Sequence, residues 1–392
     1  MPAHRPRETT TIVRLSDELI AALRSVIGSS RLAGLGPIEL GRTLGVDKTL
    51  ASRLMSALRA GDSMVALSLL PGVVPIRQFL AAARQRGAGA RAVAIAERRL
   101  RAFAHELERA FGTRTRLDAL IADALPEARR RHEDTARQAV YRGMALIKGV
   151  SIDLECFTWV VHPSRKNAKR VDLLFLASFV GVHRLRPTAR FRLGASYRRS
   201  QPERGAKLLR RFCRPERVSI SSSIEKDYVF YEITTGSVRR DAAADVFLTE
   251  FMPENAPRTA PAREKKGAWN VADVLAYPVK RLELVVLVHQ DVWPGCEFSA
   301  AAYDTAGRGQ VRLPDRERDP DRLPLDATVS RSLATAEALR ASAVPNYAEI
   351  LRTLLASHGW KLEAAPGRAA FRKFSCEIAY PLYGTQIMLM RE

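Results

Sequence analysis

The feature that most constrains this chain is a change of hydrophobic periodicity near Gly149. Before that glycine, apolar residues recur every three to four positions. After it they alternate or run continuously. The first pattern builds helices with one buried stripe; the second builds strands. Strands and helices do not alternate strictly in the second part, so an α+β fold is expected rather than a doubly wound sheet. At 392 residues the chain has room for two or three domains.

Within the helical half, Ser16 looks like a cap, with Asp17 and Glu18 suited to the positive end of a helix dipole. Leu19, Ile20, Leu23, Val26 and Ile27 then form one apolar face, and Gly28 a stop. Ser63–Leu70 offers one apolar stretch where a winged fold needs a two-stranded hairpin, which favours a helical extension over a wing. Further helices are expected over Pro75–Arg86, Ala90–Phe111 and Pro126–Lys148, the last with proline at its first position. Val93, Ala96, Leu100, Phe103, Leu107 and Ala110 form a heptad-like seam. Two readings of the seam stand open: packing within the chain, or a homodimer interface. Beyond Gly149, strands are expected over Leu154–Val161, Leu173–Val182, Val218–Ser222, Tyr228–Thr234, Leu282–His289, Phe374–Ile378 and Gln386–Met390. Helices are expected over Gln201–Arg211 and Tyr347–Ser357. Prolines 253, 257 and 261 mark one exposed loop and the stretch Asp315–Asp326 another.

The most informative stretch runs from Pro37 to Leu58. Gly41 stands where one helix must let a second approach closely. Gly45 supplies a turn whose left-handed backbone is nearly costless only for glycine. Val46 points back into a small core, and Asp47 can cap the second helix. Leu40, Leu44, Ala51 and Leu54 face inward, leaving Lys48, Thr49, Ser52 and Arg53 outward. This stretch resembles the helix-turn-helix of bacterial transcriptional regulators, and Gly45–Leu54 is close to the pattern of lactose-repressor-like proteins. Ala51 departs from the branched apolar residue usual there, and those regulators' sugar-binding domain is not apparent. The resemblance implies that the second helix enters the major groove. Arg53 would pair with guanine, Lys48 reach a base or phosphate, and Thr49 and Ser52 make shorter contacts. Arg42 and Arg59 would hold the DNA backbone. The expected organisation is a helix-turn-helix module at 1–72, a helical linker or dimerisation region at 73–149, and an α+β domain at 150–392 that senses or oligomerises.

Charge agrees with a polyanionic partner. The formal net charge is +21, which favours nucleic acid, an anionic membrane surface or acidic protein. The densest stretch is not in the motif. Between Arg165 and Arg217 there are sixteen Lys/Arg against three acids, and Arg198, Arg199, Lys207, Arg210, Arg211 and Arg214 are candidates for a phosphate-contacting patch. A solvated arginine-rich face is the alternative.

No phosphate loop, dinucleotide fingerprint, nucleophile elbow or H-E-x-x-H pattern occurs, and neither a cofactor nor a metal is expected. Seven histidines lack metal spacing. Asp172, Glu232 and Glu283 on strands leave a nuclease-like carboxylate cluster open. Phe157, Trp159, Phe175, Phe179, Tyr228, Phe230 and Tyr231 read as core, or as the lining of an effector cavity. Cys156, Cys213, Cys296 and Cys376 stand far apart, the pattern of reduced, buried thiols. The N-terminus lacks the apolar region of a signal peptide, and no stretch is long enough to span a bilayer, so a cytoplasmic, nucleoid-associated protein with no membrane partner is expected. The leading expectation is a regulator binding double-stranded DNA, with a small-molecule effector and a homodimer both open. A protein–protein adaptor, or a nucleic-acid-processing or mobile-element protein targeted by the same module, are the alternatives.

Overall fold

The computed structural model describes residues 5–28, 32–196, 207–214, 219–225, 228–234, 243–259, 269–312, 315–325, 327–365 and 368–392. The fold is α+β, with two compact units, Met1–Thr135 and Ala136–Glu392. The division falls thirteen residues before the change of periodicity, inside a helix.

The first unit is built from α1 (Arg5–Gly28), α2 (Pro37–Leu44), α3 (Lys48–Arg59), α4 (Ser63–Leu69), α5 (Val73–Gln85), α6 (Ala90–Phe111), α7 (Arg114–Ala124) and the start of α8 (Pro126–Lys148). One continuous apolar core runs through it from Ile12 to Ala128. Helix α1 is longer than expected. Ser16 is not a cap but lies fully buried in mid-helix. Ile12 extends the stripe of Leu19, Leu23 and Val26 by two turns, which carries the helix back to Arg5. The acids after Ser16 act as tertiary anchors instead. Asp17 accepts a hydrogen bond from the Ser63 hydroxyl at 2.8 Å, and Glu18 pairs with Arg99 of α6 at 2.6 Å. The seam of α6 is buried within this same chain, from Val93 to Leu107, so it is not a free dimer face. The segment after α3 is helical, as expected, and α7 joins the list unforeseen.

In the second unit the strands are β1 (Val150–Pro163), β2 (Arg170–Arg184), β3 (Phe191–Ser196), β4 (Lys207–Leu208), β5 (Ser219–Glu225), β6 (Tyr228–Thr234), β7 (Ala244–Pro257), β8 (Asn270–Val274), β9 (Val279–His289), β10 (Phe298–Asp304), β11 (Arg322–Leu323), β12 (Ser330–Leu333), β13 (Glu363–Ala365), β14 (Arg368–Ala369), β15 (Phe371–Ala379) and β16 (Thr385–Arg391). The helices are α9 (Ala336–Arg340) and α10 (Tyr347–Ser357). A seven-stranded sheet has the order β12-β15-β9-β1-β2-β7-β4, antiparallel except where β1 runs parallel to β9. A four-stranded sheet, β11-β10-β16-β8, packs on one face through Val271, Leu275, Ile387 and Leu389. Helices α9 and α10 cover the other through Leu339, Ile350, Leu351 and Leu355. A small sheet, β3-β6-β5, adds Phe191 and Ile233 to the first interior. Burial on both faces explains why β1, β2 and β9 read as continuous apolar runs rather than alternating ones. Phe157, Trp159, Phe175 and Phe179 stack in this core with ring centroids 5.3–6.0 Å apart.

Two expectations for this half are corrected, and a third is refined. The described part of the helix expected over Gln201–Arg211 is the edge strand β4 followed by a 3-10 turn, Arg210–Phe212. Pairing with β7 satisfies its backbone, and Leu208, Leu209 and Phe212 pack under α10. Residues 201–206 lie outside the described residues, as do Arg198, Arg199 and Val218. Pro253 and Pro257 lie in strand β7, not in a loop. A bulge opposite Asp172 accommodates them: Glu254 adopts a φ of 51°, its N–H donates to Asp172 at 2.9 Å, and its carbonyl accepts from Arg170 at 2.7 Å. Pro261 lies outside the described residues. The stretch expected as an exposed loop at Asp315–Asp326 is exposed at Glu317, Asp319, Pro320, Arg322 and Pro324, with Arg316–Asp321 forming a 3-10 turn pinned by the buried Arg318, which pairs with Asp321 at 2.5 Å and donates to the Gly309 carbonyl; Asp326 lies outside the described residues.

All four cysteines are buried and free, and burial pushes their thiols up. Among the described residues no single helix is long and apolar enough to cross a membrane.

An unforeseen feature lies between the two larger sheets. Glu155 on β1 and Asp273 on β8 both turn carboxyls into the interior, and Glu155 Oε2 and Asp273 Oδ2 have no hydrogen-bond partner there among the described residues. Asp273 is half-buried as a residue, but that oxygen is sealed from water. Burial pushes its pKa from 3.8 up to about 7, and burial together with repulsion from Asp273 pushes Glu155 well up. Such raised carboxyls hold protons that the unfolded chain has lost. Their contribution is therefore fully present near pH 4 and lost as pH rises towards 7 and beyond. Urea unfolding at pH 4, 6 and 8 is expected to show the parent chain losing up to roughly 4 kcal/mol relative to Asp273→Asn across that window. A gap independent of pH would mean that the carboxyl is ionised and partnered inside the fold.

Candidate nucleic-acid interface

The residues singled out in the sequence motif come together as a helix-turn-helix. Pro37 starts α2, and the Glu39 carboxylate accepts from the Gly36 N–H at 3.4 Å. Gly45 ends the helix with φ 68°, the left-handed turn its lack of a side chain permits. The Val46 N–H then donates to the Gly41 carbonyl at 3.0 Å, closing the corner. A Cβ on Gly41 would lie 3.3 Å from the Val46 oxygen and 3.6 Å from the Ala51 Cβ, so α2 and α3 cross where a side chain barely fits. Small Ala51, unusual for the resembled family, sits at this contact and lets the helices close.

Asp47 caps α3, accepting from the Thr49 N–H at 2.7 Å. Hydrogen bonds from the Thr49 side chain and backbone hold its carboxyl below the usual range. At the far end, Arg24 of α1 donates to the Leu58 carbonyl at 2.8 Å, which anchors the last turn. The inward face of α3 is Ala51, Leu54, Ala57 and Leu58, all buried. Lys48, Thr49, Ser52 and Arg53 are all exposed, spaced three to five positions apart from turn to turn, and so share the outward side. Arg59 continues that side seven residues beyond Ser52, and Arg42 is exposed in the last turn of α2. The first turn of α3 contains no acid and begins with Lys48. A cation there opposes the helix dipole, so it does not serve helix stability.

Arg53 has a second environment that its sequence position does not disclose. It lines a groove of about 470 Å³ together with Ser68 and Leu69 of α4, Asp118 of α7, and Arg131 and His132 of α8. Arg131 donates to the Ser68 hydroxyl at 2.9 Å, and Asp118 is held by Arg114 at 2.8 Å. The heptad and capping patterns carry no signal for such a groove, because it forms between helices distant in sequence.

In the second unit, Lys207, Arg210, Arg211 and Arg214 are exposed along the β4 edge and the turn that follows. Arg211 pairs with Glu349 of α10 at 3.2 Å. The carboxylates Asp172, Glu232 and Glu283 are not brought together. Asp172 holds the β7 bulge, Glu232 faces Arg190 at 3.5 Å, and Glu283 faces Lys373 at 3.8 Å. No group of three metal-ligating side chains occurs among the described residues. Three histidines scattered in sequence do converge. His162 stacks on Trp360 at 4.4 Å with His289 edge-on at 4.8 Å, and His358 stacks on Phe251 at 4.2 Å. Burial lowers all three pKa values, His162 to about 4, so the imidazoles are neutral at pH 7.

No protein-family model matches the chain, and no curated protein matches it. Among solved structures, 62% of the chain is similar to a protein from Parabacteroides distasonis provisionally named a protease, with 7% identity, a TM-score of 0.31 and 40% of that chain covered. The same share is similar to a mutant M1 zinc metallopeptidase from Deinococcus radiodurans bound to a Tyr-Ser-Ala substrate, with 10% identity, a TM-score of 0.28 and 42% of that chain covered. The chain thus spans about two-fifths of the length of either, and similarity this low has no bearing on function.

The close crossing is directly testable. Gly41→Val is expected to cost about 1–3 kcal/mol of stability through overpacking, and Gly41→Ala less. Denaturant unfolding followed by helical circular dichroism measures both. Equal, negligible losses would show that the two helices separate without penalty.

Proposed function

We propose that the chain is a DNA-binding transcriptional regulator that reads the major groove with α3. The observation that carries this reading is the one-sided character of that helix. Its inner face is wholly apolar and packed, while its outer face presents Lys48, Thr49, Ser52 and Arg53 with no apolar side chain among them. A helix with a lysine against its own dipole, an arginine further along the same side and no acid in its first turn is matched to a polyanion. Arg53 has the fork to engage guanine O6 and N7, Lys48 serves a base or phosphate, and Arg42 and Arg59 serve the backbone. The net charge of +21 favours the same partner.

Selection of the purified chain against a random-sequence duplex library at two salt concentrations tests this. A defined site should be enriched. Arg53→Ala should then lose about 1–3 kcal/mol of discrimination at one position, while Lys48→Ala should lower affinity with a shallower salt dependence, by about 0.9 in the logarithmic slope if it meets a phosphate. Tight but sequence-blind binding would point to an architectural or processing role. Absent binding at both salts would make the adaptor reading the stronger.

A further inference from the structure

The sequence shows one basic run near residue 207, but the fold adds cations from two distant segments to it. Strand β4 is the edge of the seven-stranded sheet, and α10 lies across the neighbouring face. Arg211, just after β4, is tied to Glu349 in the first turn of α10. Leu208 and Leu209, next to Lys207, pack against the apolar cluster that contains Leu351, Leu354 and Leu355 of α10. Arg165, in the connection between β1 and β2, donates to the Gly359 carbonyl. A shallow groove then joins Arg352 of α10 to Trp360, Lys361 and Glu363.

Three segments, residues 165–169, 207–214 and 352–361, therefore share one face. Arg165, Lys166, Lys207, Arg210, Arg352 and Lys361 are all exposed there, and none has an ion-pair partner among the described residues. Fewer carboxylates than cations stand nearby. Glu349 is held by Arg211, Asp172 is buried against the Glu254 N–H, and the exposed Glu363 lines the same groove and offsets one of the cations. Unpaired cations brought together by folding repel one another, and that repulsion is relieved by an anionic partner. Helix α10 is eleven residues long, about 16 Å at 1.5 Å per residue. That matches the axial rise of about five base pairs.

We propose that this face of the C-terminal unit is a second phosphate-contacting surface, which holds the sugar–phosphate backbone of a nucleic acid without reading its sequence. It deepens the DNA-binding reading of the chain and rests on it for the identity of the polyanion. Backbone contacts position a protein and supply non-specific affinity, whereas base contacts select the site. The two surfaces therefore have separable signatures.

The test uses the full chain, the triple variant Lys207→Gln/Arg352→Gln/Lys361→Gln, and the double variant Lys48→Ala/Arg53→Ala. Each is titrated with a fluorescent random-sequence 20-base-pair duplex from 50 to 200 mM salt, with the thermal melt recorded as a folding control. The triple variant should lose at least tenfold in affinity at the lowest salt, and its logarithmic salt slope should fall by up to about 2.7, near 0.9 for each phosphate contact removed. Any site preference found by selection should survive. The double variant should lose site preference and keep most of the salt dependence. Unchanged affinity and slope in the triple variant would overturn the proposal even if the double variant behaves as a recognition-helix mutant. Loss of function in the triple variant alone, with no effect of the double, would sink the helix-turn-helix reading and leave this surface standing. Vesicles of phosphatidylcholine with one-third phosphatidylserine, and poly-glutamate, are run in parallel. Loss of binding to either of these, with duplex binding unaltered, would reassign the face to a membrane or an acidic protein.

Discussion

Helix α1 and helix α6 lie together along their apolar stripes, and the helical unit is arranged on that pair. Ile12, Leu19, Leu23 and Val26 on one side, and Val93, Ala96, Leu100 and Phe103 on the other, are all buried. Both helices exceed twenty residues, long enough to give α2–α4 a firm base. The base reaches α3 through specific bonds as well as packing, since Arg24 of α1 holds the Leu58 carbonyl in its last turn and Asp17 holds the residue that opens α4. A helix meant to present side chains to a partner gains from such support, because ordering its own backbone on binding would subtract from affinity.

Much of this was legible where local chemistry and tertiary packing agree. Ala90–Phe111, Pro126–Lys148 and Tyr347–Ser357 begin and end where spacing and capping residues predict. The turn between α2 and α3 could be read residue by residue, because a left-handed glycine, a close-contact glycine and an aspartate cap each answer a different physical need. Errors arose where one residue type serves two purposes. Ser16-Asp17-Glu18 has the chemistry of a helix start, yet here it supplies long-range anchors in mid-helix. Pro253 and Pro257 have the chemistry of a loop, yet a bulge held by Asp172 and Arg170 admits them to a strand. Strand β10, with three alanines in Phe298–Asp304, has too little side-chain contrast to announce itself. Of the candidate site, the α3 face was visible in advance; the groove beside Arg53 and the three-segment basic face were not, because both are made by helices and loops far apart in sequence.

The C-terminal unit applies a different rule. Its central strands are covered on both sides, so β1, β2 and β9 are buried along most of their length, and the polar side chains within them each need a partner. Thr158 is satisfied by the Tyr347 hydroxyl at 2.6 Å, which ties α10 to the sheet. Glu155 and Asp273 are not satisfied in that way, and they make this interior responsive to protons where an apolar pair would be indifferent. The half-buried imidazoles around Trp360 work in the opposite sense, since they resist protonation as pH falls.

The burial of all four thiols has a practical side. Each is buried and made less acidic, which disfavours the thiolate that an alkylating reagent needs while the chain is folded. The molecule is in effect a blank surface for cysteine chemistry. One cysteine introduced on the outer side of α3, or on the face beside α10, would be the sole address for a spectroscopic label, and the native four would report by their silence that the fold is intact.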